Sequence, residues 1–240
     1  MLSGVIADGT GTAIARWVVS NREGGFSHPP YDSLNLASHV GDAPVAVAAN
    51  RGVLAGSLGV PDDRMVYPGL THSTDVGVVE GPVGLFPNVD ILITSRRSIG
   101  LVTMGADCVP VVLVEPVARI ALTAHVGWRG AADGMLDAIC NAVDHAGGNV
   151  SKAVAVFGPS ICGRCYTVDE QRRASVLSAL PKSGDVSING VDIAAGLAAA
   201  LTDKGVNVST VGTCTYEDKS WFSHRRDGVT GRQAAAVVLL

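Results

Sequence analysis

Cysteine and histidine are side chains that serve either as metal ligands or as a nucleophile and its base, and two dense segments carry one of each. The first is Gly105-Ala-Asp-Cys-Val-Pro110 and the second His125-Val-Gly-Trp-Arg-Gly130. Between them, Val109–Val114 and Arg119–Ala124 read as strands rich in branched residues, joined by the turn Glu115-Pro-Val-Ala118. A turn centred between Pro116 and Val117 sets Cys108 directly opposite His125 at the open end of a hairpin. Opposed side chains share a face, with Cβ atoms roughly 4.5–5.5 Å apart. That separation suits two ligands of one metal, or a thiolate and its base. Asp107, Trp128 and Arg129 crowd the same strand ends, beside Gly127 and Gly130, where backbone can approach a ligand closely.

A catalytic zinc typically has three protein ligands and one open position. His72, in the polar loop Leu70-Thr-His-Ser-Thr-Asp75, is by itself an ordinary loop histidine. The C-terminal segment gathers Arg225, Arg226 and Arg232 near Ser, Thr and Gly residues. Guanidinium forks of this kind hold phosphate or carboxylate. Cys162-Gly-Arg-Cys165 is a C-x-x-C without a thioredoxin-like setting, and Cys108, Cys140 and Cys214 lie too far along the chain to read as a second pair. Cys140 is expected in a helix, in the core.

Strands and helices must bring these segments together. Ala13–Ser20, Met65–Tyr67, Val76–Glu80, Val89–Thr94 and Gly100–Met104 read as strands, as do Ala153–Phe157, Val206–Val211 and Ala234–Leu240. A helix is expected after Asp42 as cap, with Pro44 in its first turn, running to about Ser57, and others over Ala131–Ala146, Val168–Leu180 and Ile193–Lys204. Hairpins mixed with helices predict an α/β or α+β fold with mixed sheets, and the length suits one large domain or two small ones. No Gly-x-Gly-x-x-Gly opens a helix after a strand, which argues against a doubly wound nucleotide fold.

Composition narrows the function classes. The 240 residues are 47% apolar and 17% charged, the pattern of a packed chain. Lys and Arg number 18 against 22 Asp and Glu, a net charge of −4 with no basic stripe, so a nucleic-acid binder is not expected. The first residues lack the pattern of a signal peptide, and the apolar stretch 101–114 is interrupted by Asp107. A soluble, cytoplasmic, monomeric protein with no membrane contact is expected. The odd count of 5 cysteines points to thiols or metal ligands rather than a disulfide frame.

Taken together, the chain resembles the family described variously as multicopper polyphenol oxidoreductase (laccase domain), purine nucleoside phosphorylase and peptidoglycan editing factor. The matching blocks are Ser33-Leu-Asn-Leu36, Gly41-Asp42, Asn50-Arg51, His72, Ala106-Asp-Cys-Val-Pro110 and His125-Val-Gly-Trp-Arg-Gly130. They continue in order with Gly158-Pro-Ser-Ile161, Cys165-Tyr166, Cys214-Thr215, Phe222-Ser-His-Arg-Arg-Asp-Gly228 and Thr230-Gly-Arg232. The resemblance implies a single domain over residues 1–240, of mixed sheets flanked by helices, an α/β (α+β) fold akin to toxin-type Cys–His hydrolases of the CNF/YfiH-like fold. It places zinc ligands at His72, Cys108 and His125. It also implies phosphorolysis of adenosine, inosine or S-methyl-5'-thioadenosine, and deamination of adenosine. Three positions depart from the family pattern: Leu70 where Gln is usual, His224 where Tyr is common, and Cys162, which the pattern lacks.

Within that reading, Arg225 or Arg226 orients phosphate, and Asp107 acts as acid or base or as an anchor behind the ligands. Asn35, Arg51 and Arg129 join Arg226 as substrate contacts. A four-copper laccase needs about ten histidines, many in His-x-His pairs, and the chain has 6 and no such pair. One copper at the same three ligands stays open, because copper binds such sites more tightly than zinc. The cytidine-deaminase signature, His-x-Glu with Pro-Cys-x-x-Cys, is absent. Two other classes use the same residues: a Cys–His hydrolase acting on a peptidoglycan precursor, and a binding protein with a structural zinc.

Overall fold

In the computed structural model, residues 1–184, 186 and 189–240 are described. The branched apolar runs form β1 (Leu2–Ala7), β2 (Ala13–Val19), β3 (Met65–Pro68), β4 (Val76–Val78), β5 (Leu85–Phe86) and β6 (Ile91–Thr94). They continue as β7 (Gly100–Gly105), β8 (Val109–Glu115), β9 (Ile120–Val126), β10 (Val154–Phe157), β11 (Asn207–Thr210) and β12 (Gln233–Leu239). The helices are α1 (Pro44–Leu58), α2 (Trp128–Ala132), α3 (Met135–His145), α4 (Glu170–Ala179), α5 (Ile193–Asp203) and α6 (His224–Asp227).

Among the described residues the strands make two mixed 6-stranded sheets, in the orders β1-β2-β12-β7-β3-β5 and β11-β10-β8-β9-β6-β4. The sheets face one another across a core that includes Val19, Leu101, Val112, Ala121 and Val237. Helices cover the outer faces. Ile139, Val143, Val176 and Leu197 pack on Val111, Leu113 and Leu122 of the second sheet. Leu54 and Leu58 of α1 pack on Val102, Met104 and Ala236 of the first. Each of β7, β8, β9 and β12 is buried along its whole length. Strands covered on both faces read as continuous apolar runs, which is why these were easy to place. Full burial of each such Leu, Ile or Val is worth about 1.5–3 kcal/mol.

Three local expectations are corrected. The β8–β9 hairpin pairs Glu115 with Ile120 and Pro110 with His125, so Cys108 does not oppose His125. The register has moved by two residues because the loop spans residues 116–119, with Arg119 at φ 54° and the Glu115 carboxylate accepting from the Ala118 N–H. A two-residue slip preserves the face on which each side chain lies. Cys108, one residue before β8, is therefore the diagonal neighbour of His125.

The cap of α1 is Ala43, not Asp42. The Asp42 carboxylate instead accepts from Ser27 Oγ at 2.6 Å, Asn35 Nδ2 at 2.8 Å and Ala43 N at 2.7 Å, fixing the preceding loop. The helix expected over 131–146 is two helices, α2 and α3, because Gly134 turns left-handed at φ 96°.

Candidate metal centre

His72, Cys108 and His125 offer ligand atoms that all lie within 4.8 Å of one another. His125 sits near the end of β9 and is buried, Cys108 is half-buried at the head of β8, and His72 is exposed on the loop between β3 and β4. The two rings meet edge to face, with centroids 4.8 Å apart. Two ligand-bearing segments have unusual backbone. His72 adopts φ 61° and Asp107, beside Cys108, φ 97°. Non-glycine residues hold such angles only where the surroundings over-determine them.

For His72, Asp90 supplies that constraint. It is buried just before β6, and its Oδ1 lies 2.7 Å from His125 Nδ1. This bond fixes the ring and leaves Nε2 as the atom that could serve as a metal donor. The other oxygen accepts from Thr71 N at 3.0 Å and Ser73 N at 2.8 Å, the amides on either side of His72. The Thr71 and Ser73 hydroxyls add bonds of 3.1 and 3.2 Å to the same oxygen. One carboxylate thus orients one ligand and holds the loop of a second.

The electrostatics follow from this packing. Burial pushes the Asp90 carboxyl up, but the His125 ring and the Ser73 and Thr71 amides outweigh it and bring it to about 2. Burial disfavours charge on His125, yet Cys108 and Asp90 raise it to about 9. Burial likewise raises the Cys108 thiol, and the His125 and His72 rings reverse this, to about 6. Each group thus favours the charged form of the other, the thiolate beside the imidazolium.

Gly127, the residue that the observed register sets opposite Cys108, leaves the space the ligands occupy. A Cβ there would stand 2.9 Å from His72 Cδ2 and 3.2 Å from Cys108 Sγ. The three ligands open onto a cavity of about 330 Å³ whose other walls include His39, Leu70, Met104, His224 and Arg232. Leu70 and His224, two positions that depart from the family pattern, are thus both cavity walls. The Arg232 Nη1 donates to the Thr230 and Gly231 carbonyls at 2.8 and 3.0 Å, which holds the guanidinium in place at the wall.

The other expected site residues are placed as follows. Asp107 Oδ1 accepts from Thr215 Oγ1 at 2.6 Å and Ser223 Oγ at 2.7 Å, and its Oδ2 from Arg225 N at 2.7 Å. It ties the C-terminal loop to the Cys108 turn. Arg225 is exposed, stacks on Tyr166 with 4.9 Å to the ring centroid, and donates to the Thr167 carbonyl. Arg226 spends its guanidinium on the carbonyls of Thr215, Tyr216, Asp218 and Trp221 and on Asp227. It fastens its own loop and has no fork left for a phosphate.

Asn35 is fully buried, bonded to Ala37, Asp42 and Arg232 N, and likewise serves the loop. Arg51 donates to the Leu36 carbonyl and stacks on Tyr67 at 3.9 Å, lining a different cavity beside α1. Arg129 is exposed and lies over Trp128 at 5.4 Å. Sequence reasoning missed Asp90, His39 and the cavity position of Arg232. For Arg232 the signal existed, in the Thr-Gly-Arg block; for Asp90 there was none.

The sequence model of the multi-copper polyphenol oxidoreductase laccase family matches residues 16–240. The chain belongs to that family. Among similar proteins is a purine nucleoside phosphorylase of Streptomyces coelicolor, 41% identical over 231 residues, covering 94% of this chain and 96% of the relative. An adenosine deaminase from an unknown prokaryotic organism is 31% identical over 219 residues, covering 83% and 84%. The crystal structure of a Bacillus licheniformis hypothetical protein, YfiH, superposes with a TM-score of 0.87 at 28% identity, covering 95% and 96%. The fold class is therefore the expected one, mixed sheets flanked by helices. Among the described residues, no helix is long and apolar enough to cross a membrane.

Proposed function

We propose that this chain is a zinc-dependent purine nucleoside enzyme, phosphorolysing adenosine, inosine or S-methyl-5'-thioadenosine and deaminating adenosine. The observation that carries this reading is a three-ligand cluster open to a cavity with a cationic wall. The names of the relatives agree with it. The residues fit the metal. Two imidazoles and a thiolate are a zinc donor set, the Gly127 gap accommodates them, and Asp90 behind His125 is the carboxylate partner that ligand histidines ordinarily have.

His72, Cys108 and His125 would hold the ion, which supplies Lewis-acid polarisation of a bound oxygen. Arg232 presents positive charge for a phosphate or the ribose hydroxyls, and takes the part expected of Arg226. His224 Nδ1 donates to the Gly228 carbonyl at 2.7 Å, so its Nε2 is an acceptor at the cavity wall, suited to a sugar hydroxyl or a purine N–H. Arg225 supports Tyr166 on the far side of Cys108, and Asp107 keeps both loops in register. Copper at the same ligands is a further proposal within this reading.

Incubation of metal-quantified protein with adenosine, with and without phosphate, tests this. Phosphate-dependent adenine or phosphate-independent inosine is expected. Absence of both products from zinc-loaded protein overturns it.

One observation favours a second reading. Cys108, His125 and Asp90 form a thiol–imidazole–carboxylate series, the arrangement of a Cys–His hydrolase such as a peptidoglycan-precursor amidase. In that case chelation leaves turnover intact, and alkylation of Cys108 removes it.

A further inference from the structure

The C-x-x-C segment is not isolated in space. The turn after β10 that carries Cys162 and Cys165 lies against the loop before α6 that carries Cys214 and Glu217. The three sulfurs and a Glu217 carboxylate oxygen all lie within 4.8 Å of one another. We propose that Cys162, Cys165, Cys214 and Glu217 form a second metal site, structural in role, that takes zinc or a similarly thiophilic divalent ion.

The local structure is built to aim these donors. The Cys165 and Tyr166 amides both donate to the Cys162 carbonyl, at 3.0 and 2.9 Å, making a tight turn that brings two sulfurs to one side. Gly163 makes that turn possible, since a Cβ would stand 2.8 Å from Asp192 Cβ. The Cys162 N–H points at Cys214 Sγ at 3.3 Å, the N–H to sulfur contact that stabilises a thiolate. Glu217 Oε1 lies 3.4 Å from Cys165 Sγ, and Arg164 Nη2 donates to the same oxygen at 3.3 Å and to Oε2 at 3.5 Å, fixing the carboxylate.

A tetrahedral zinc with bonds of about 2.3 Å to sulfur and about 2.0–2.2 Å to oxygen needs donors in this range. Three thiolates select a soft metal over magnesium or calcium. None of the three cysteines is bridged in the structure. Ion binding releases the thiol protons to solvent.

The position gives the site its purpose. Cys165 precedes Tyr166, which lines a second, smaller cavity together with Cys108 and stacks with Arg225. Cys214 precedes Thr215, whose hydroxyl donates to Asp107 at 2.6 Å. An ion here clips together the two loops that back the Cys108 turn. Cys162 and Cys214 stand 52 residues apart in sequence, and a metal clip that closes a long loop gains the most from the closure.

The test is metal counting on full-length protein purified with zinc and freed of excess ion. The wild-type chain is expected to keep about two ions. Cys108→Ala loses one, and Cys162→Ser/Cys214→Ser loses the other. If the double variant does not fold, the wild-type protein still decides by alkylation mapped to each cysteine. Cys162, Cys165 and Cys214 are expected to be protected in the zinc-loaded protein and to react after chelation. Equal labelling of the three with and without zinc, or a single retained ion lost with Cys108→Ala alone, overturns the proposal. So does a disulfide among them in protein that holds no second ion. These readouts do not depend on nucleoside turnover, so failure here is separable from failure of the proposed activity.

Discussion

Asp90 and His125 are joined twice: by the 2.7 Å contact between Oδ1 and Nδ1, and by the His125 amide donating to the Asp90 carbonyl at 2.9 Å. Because the second carboxylate oxygen clamps the amides flanking His72, one residue positions two of the three candidate metal donors. Asp90→Asn preserves size but replaces an acceptor with a donor. Either its NH₂ faces the two backbone amides, or it faces His125. Metal affinity is expected to fall by roughly 10–100-fold, measured by competition with a chelator. Unchanged affinity would remove Asp90 from the account.

The same residue sets an acid limit. The Asp90 carboxyl is held at about 2 in the fold, below its ordinary 3.8. A depressed carboxyl contributes stability that is complete above its unfolded value and is lost as pH falls through the folded one. Denaturant unfolding of metal-free protein should therefore show stability declining from about pH 4 toward pH 2. Asp90→Asn should be less stable at neutral pH and show a shallower decline across that window. Parallel curves for the two proteins would contradict this.

Gly127→Ala tests the packing of the ligands. Gly127 has φ −89°, which alanine adopts without strain, so any effect comes from the added methyl. That methyl would press on His72 and Cys108 at 2.9 and 3.2 Å. The expected result is a fold retained by circular dichroism and a reduced metal content at the His72 centre. Full metal content would mean that the His72 loop yields freely.

Arg226 and Arg232 should separate into structural and substrate roles. Arg226→Ala strips donors from four backbone carbonyls and is expected to cost about 1–3 kcal/mol of stability, visible as a lower Tm. Arg232→Ala is expected to raise the KM for phosphate with a smaller change in Tm. The reverse pattern would return phosphate binding to Arg226.

Much of this was legible before folding. The strands with both faces buried are continuous apolar runs, and the Cys108–His125 pair survives a mistaken register because a two-residue slip keeps facing. The break at Gly134 was hidden by apolar periodicity running through it. Asp90 was illegible because its role rests on the β6–β9 pairing, which sets residue 90 against residue 125. Cys214 could not be joined to the C-x-x-C from spacing, since only the β10–β11 pairing and the loops beyond it bring them together. Arg226 was misread because a guanidinium near glycines looks the same in sequence whether it meets a phosphate or its own carbonyls.

The most direct test of the central claim is reversible metal dependence of nucleoside turnover. Protein is stripped with chelator, assayed with adenosine and phosphate, reloaded with zinc and assayed again, alongside Cys108→Ala. The account predicts that turnover disappears on stripping, returns as zinc fills the His72–Cys108–His125 centre, and never appears in the variant. Stripped protein that retains full turnover, and loses it only when Cys108 is alkylated, would contradict the metal centre and establish the cysteine as nucleophile.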